Sequence, residues 1–156
     1  MKNVIKFIAM AIVFAFVACS DSTDDNLDGS IPNTALAGTV FNTNFVATGG
    51  KAFLVGSQSS DGQSSESQIS INITNVEADC SSSIFNYDLY VSTTVENKVG
   101  TSTTNVVFGK DGETPKNVIQ STVVVESITE TEIVVKIKSS TTGSKVEGTF
   151  TVPFCK

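Results

Sequence analysis

The chain has 156 residues and a formal net charge of −6, with 10 Lys, 16 Asp plus Glu, and no Arg, His or Trp. That is one domain's worth of chain, and the lack of His excludes histidine triads and His-ligated zinc or haem. An acidic, Arg-free chain also lacks the clustered cations that phosphate backbones require, so nucleic acid is excluded as a partner.

The first segment has a basic start, Lys2 and Lys6, and then twelve uninterrupted apolar residues from Phe7 to Ala18. A membrane-spanning helix needs about 20 apolar residues, and this run is followed by Ser20 and Asp21 rather than a basic cluster. Residues 1–18 therefore read as a signal peptide. The quartet Phe16-Val17-Ala18-Cys19 resembles the lipobox of bacterial lipoproteins, departing from it at Phe16, where Leu is usual. The resemblance implies that Cys19 is acylated, becomes the first mature residue and holds the protein in a membrane through lipid. Residues 20–30 carry four Asp and no cation, so residues 19–35 are expected to form a flexible acidic tether. Asp21, Asp24, Asp25 and Asp28 offer hard oxygen ligands, but their spacing matches no calcium loop, and no metal or cofactor is expected. The acidic run resembles the surface-export signal of Bacteroidetes lipoproteins. Asp21-Ser22-Thr23 resembles the O-glycosylation motif of that group, which makes Ser22 a candidate glycosylation site.

From residue 36 to 156, period 2 dominates and no helical period lasts three turns. The alternation predicts strands over 38–46, 51–57, 69–73, 84–91, 103–109, 117–127, 132–138 and 145–154. Ile69, Ile71 and Ile73 form one core face, as do Ile133, Val135 and Ile137, and Val146, Gly148, Phe150, Val152 and Phe154. Phe85, Tyr87, Leu89 and Val91 are predicted to face inward opposite Tyr90, and Ile119 inward with Val123 and Val125. Phe41, Phe45, Phe53 and Phe108 complete the expected core. Gly49-Gly50, Asp61-Gly62, Lys110 to Glu113 and Thr142 to Ser144 carry turn chemistry. About eight short strands with sequential antiparallel pairing predict an all-β domain, an antiparallel sandwich or a flattened barrel.

With Cys19 committed to lipid, Cys80 and Cys155 are an even pair in an exported protein, and a disulfide is predicted. It closes a loop of 76 residues (155 − 80 + 1), for which chain entropy gives roughly 4–5 kcal/mol. The lipobox, Ala37-Gly38-Thr39-Val40-Phe41, the mid-chain Cys80 and Val146-Glu147-Gly148-Thr149-Phe150 ending at Cys155 together resemble small flavobacterial-type (Bacteroidetes) lipoproteins of uncharacterised function. The resemblance implies location and β architecture.

Carboxylate chemistry is the general catalytic option that remains, and Asp88, Glu126, Glu132 and Glu147 alternate with core residues on solvated faces. Ser57 and Ser121 lie in no Gly-x-Ser-x-Gly context and have no His base. The expectation is a non-enzymatic, lipid-anchored outer-membrane module, exposed at the cell surface, that binds an extracellular protein or glycan or serves as a coat. The alternative is a lipoprotein of an uptake system that binds a glycan or an apolar ligand. The contact loops of the surface module are expected at Ser57 to Ser67 and Lys110 to Glu113.

Overall fold

The computed structural model describes residues 30–58 and 64–156. The signal peptide, Cys19, Ser22, the four Asp of the tether and the Asp61-Gly62 turn lie outside them. Among the described residues nine strands form one sheet: β1 (Ala37–Val40), β2 (Thr43–Val46), β3 (Gly49–Gln58), β4 (Ser64–Thr74), β5 (Leu89–Glu96), β6 (Gly100–Lys110), β7 (Lys116–Ile128), β8 (Glu132–Thr141) and β9 (Ser144–Cys155). Strands β3 to β9 follow one another as antiparallel neighbours, and β9 then returns to β3, which it meets in parallel through Ala52–Phe154 and Phe53–Cys155. That contact closes a seven-stranded mixed barrel, and the sandwich gives way to the barrel. Closure pairs β3 and β9 at Ala52 and Phe53, where an open sheet would leave both edges free, while β2 keeps an unpaired outer edge.

The alternation works as a sorting rule. Ile69, Ile71, Ile73, Val91, Ile133, Val135, Ile137, Val146 and Val152 are fully buried, together with Phe45 and Phe108. Each such side chain contributes about 1.5–3 kcal/mol by leaving water. Phe41 and Phe150 are only partly buried, packed against this core, and Phe53, expected inside, is instead partly exposed in the wall of a surface cleft.

Strand β9 is shared along its length. One edge runs with β8 from Ser144 to Pro153; the other pairs with β1 at Lys145–Glu147 and with β3 only at Phe154 and Cys155. Gly38 sits opposite Val146, where a Cβ on Gly38 would fall 1.9 Å from the Lys145 carbonyl oxygen. The two segments on which the family resemblance rests, 37–41 and 146–150, are therefore partners in the sheet. Part of the predicted tether belongs to the fold as well. Ile31 is 6% exposed, the Thr149 amide donates to Thr34 O at 2.7 Å, and Leu36 N donates to Thr149 O at 2.9 Å. Thr34 to Leu36 are thus bridged to Thr149 of β9 by backbone hydrogen bonds, and Pro32 O accepts from the Thr149 hydroxyl at 3.2 Å.

Four further expectations are corrected. The strand predicted over 38–46 is the hairpin β1–β2, turned at Phe41 and Asn42 with φ of 50° and 59°; the positive φ pair is a type I′ geometry normally announced by Asn-Gly. Gly49-Gly50 opens β3 rather than forming a turn, where a Cβ on Gly49 would fall 2.2 Å from Ala78 N. Ile119 is 75% exposed because a bulge sets Ile119 and Gln120 together opposite Asn105 and shifts the register, moving Val118 to the inner face. Residues Ile84–Asn86 form a single 3₁₀ turn outside the barrel instead of the start of a strand, so Phe85 lies outside the core.

Candidate functional site

Residues 75–88 leave β4, cross the open start of β3 and return to β5. Asp79 fastens the crossing: its Oδ1 accepts from Ser81 N at 2.9 Å, Ser81 Oγ at 2.6 Å and Ser82 Oγ at 3.2 Å. These bonds hold the Asp79 carboxyl below its ordinary pKa. Gly50 N donates to Ala78 O at 3.0 Å, and the Lys51 ammonium donates to Ser82 O at 2.6 Å. Cys80 is joined to Cys155 with a Cα separation of 5.5 Å, which ties this crossing to the end of β9 as the sequence predicts. Ser83 then caps the 3₁₀ turn, its Oγ accepting from Phe85 N.

On this support Phe85 projects 92% exposed. It stands between two clefts. One, of about 390 Å³, has Lys51, Phe53, Ile84 and Cys155 in its walls. The other, of about 380 Å³, is formed by Ile84, Phe85 and Tyr87, by Asn72, Tyr90 and Ser92 on the barrel's outer face, and by the Lys110 to Glu113 turn. Tyr90 lies across Gly109, its direct partner on β6, where a Cβ would fall 1.9 Å from the ring. Tyr87 is 5% exposed, and burial followed by the Asp79 charge raises its pKa above the usual 10.0. Among the described residues its phenol oxygen is buried without a hydrogen-bond partner.

The turn after Lys110 lines the cleft, and that turn, Tyr87 inside and Tyr90 outside all follow the sequence expectation. Phe85 does not, and neither do Asn72 and Ser92. The signals for Phe85 were the Ser81-Ser82-Ser83 run and the Asp79 turn, both of which mark a chain leaving the sheet. Of the Ser57 to Ser67 loop, residues 59–63 lie outside the described residues.

The four candidate carboxylates are set apart. Glu126 meets Lys136 at 2.5 Å and Glu147 meets Lys138 at 3.2 Å on the outer face; Glu132 stands at the start of β8 opposite Pro153, and Asp88 is exposed just before β5. Ser121 is buried and shares a 2.7 Å hydrogen bond with Ser139. Among the described residues no three His, Cys, Asp or Glu side chains gather where a metal ion could be held.

No protein-family model, curated protein or solved structure matches this chain.

Proposed function

We propose that this protein is a lipid-anchored module of the bacterial cell surface that binds an extracellular partner through the outer face of its barrel and catalyses nothing. The observation that supports the binding role is Phe85, held 92% exposed between two clefts on a turn cross-linked to the barrel. Keeping a phenylalanine in water forgoes the free energy of burying it, and a cross-link holding it there keeps a contact surface preorganised. A ligand in the barrel interior is disfavoured, because Phe45, Phe108 and the β4 and β8 isoleucines already occupy that space. The anchor rests on the lipobox at Cys19 and its preceding apolar run. Acyl chains bind a bilayer by about 0.8 kcal/mol per buried methylene, so several on one Cys anchor the protein without a spanning helix.

Fractionation and protease shaving test this reading. Wild-type protein should sediment with membranes and be lost from intact cells treated with protease; Cys19→Ala should leave the membrane fraction. A Cys19→Ala protein that stays on the membrane contradicts the lipid anchor, and protection in intact cells with loss after lysis contradicts the surface location.

A further inference from the structure

The cleft at Phe85 is one end of a longer trough. It shares Ser92 with a second cleft, of about 170 Å³, which also takes in Ser70, Thr94 and Asn105; that cleft in turn shares Thr94 and Thr104 with a third, of about 330 Å³, reaching Gln68 and Glu96. The three lie in file along β5. Alternation puts Tyr90, Ser92, Thr94 and Glu96 outward on β5, and the register sets Asn72, Ser70 and Gln68 of β4 beside Ser92, Thr94 and Glu96. The β5–β6 ladder runs from Leu89–Lys110 to Thr93–Val106, and beyond it Thr104 Oγ1 reaches across to Thr94 O at 3.1 Å. From Tyr90 to Glu96 the strand rises about 20 Å.

We infer that this trough binds a neutral polysaccharide, with a sugar ring stacked at Phe85 and Tyr90 and the chain running along β5 toward Glu96. The inference rests on the surface-module reading and names its ligand class. Three features of the trough match a sugar chain. Its aromatic head offers flat apolar faces, which suit the C–H face of a pyranose ring. Its floor is a row of hydroxyls and carboxamides, each able both to donate and to accept, as sugar hydroxyls do. Its middle is uncharged: Glu96 and Lys98 pair with each other at the far end, and Lys110, Asp111 and Glu113 stand together at the aromatic end. A chain of net charge −6 repels a polyanion, which favours a neutral glycan over an acidic one. A separate observation points the same way. Among the described residues, three buried polar atoms lack a hydrogen-bond partner: Asn75 Oδ1, away from the trough, and Tyr87 Oη and Asn105 Oδ1, whose residues line it. Neither of these last two atoms is open to solvent, so a hydroxyl-rich ligand would reach them only with a small outward shift of the phenol or the carboxamide, or through water drawn in beside it.

Affinity electrophoresis of the full-length protein, purified from membranes in detergent, tests the inference in gels containing xylan, galactomannan, hydroxyethyl cellulose, alginate or polygalacturonate. At least one neutral polymer should retard the wild type, and Phe85→Ala should weaken that retardation by about tenfold or more. Phe85 is exposed, so the variant should melt with the wild type. Thr94→Lys, which sets a long side chain across the middle of the trough, should weaken binding without touching the aromatic head. Retardation by the acidic polymers alone, by none of the five, or unchanged in both variants would overturn the inference. Retention on unfolded casein in place of the polysaccharides would assign the trough to peptides and overturn it equally. A protein that is shaved from cells yet retarded by no polymer keeps the surface-module reading and loses the glycan.

Discussion

Asp79 shows how a single exposed carboxylate can set the position of an aromatic residue six places along the chain. Its three hydrogen bonds to Ser81 and Ser82 fold the crossing loop just before the Ser83 cap, and they lower its pKa from the ordinary 3.8. A carboxyl whose pKa is depressed by folding contributes stability that is present above its unfolded pKa and is lost as pH falls through its folded value. Asp79→Ala should therefore unfold at lower urea than the wild type at pH 7, and the difference should close as pH falls through the lowered folded-state pKa of Asp79. Removing the Asp79 charge should also lower the pKa of Tyr87 toward its burial-only value, seen by ultraviolet titration of the phenols. A gap in urea midpoint that persists in acid would mean that the turn is held by something other than the ionised carboxylate.

At the scale of elements, the disulfide joins two pieces that cover the same edge of β3. Residues 78–82 lie against its start at Gly50 and Lys51, and β9 pairs with Ala52 and Phe53 just beyond. A cross-link spanning 75 residues is worth about 4–5 kcal/mol in the chain-entropy model, a large share of a small domain's stability. Cys80→Ser/Cys155→Ser should lower the melting temperature by about 10 °C or more in scanning calorimetry. Because the link holds the Phe85 turn, the double variant should also lose polysaccharide retardation at temperatures where the barrel is still folded.

The same elements show where sequence and structure part. β4, β8 and β9 were legible because each keeps one unbroken period-2 face, and Tyr90 was placed by that alternation. The Phe41-Asn42 turn was hidden because it carries φ > 0 without glycine, and Ile119 because a bulge is invisible to a strict period. Phe85 is hidden from a sequence reading because Phe85, Tyr87, Leu89 and Val91 alternate as a strand would. Only the last two are in one, and Tyr87 is buried from the loop. The floor of the trough could not be found from one strand alone, since it exists only where β4 and β5 meet in register.

For the whole molecule, closure of the barrel makes the interior a packed core and leaves the outer face for recognition. The crossing loop and the disulfide then make one part of that face aromatic. The chain has two tyrosines and no tryptophan, and both tyrosines line the aromatic end of the trough. Intrinsic tyrosine emission therefore reports on this site alone. Titrating the full-length protein with soluble xylan, galactomannan and hydroxyethyl cellulose measures the central claim most directly. A saturable change in emission with at least one of them, displaced to about tenfold higher ligand or lost in Phe85→Ala, is the predicted result; polysaccharide binding that leaves the emission unchanged, or an emission change with the same midpoint in Phe85→Ala, would place the binding surface elsewhere on the barrel.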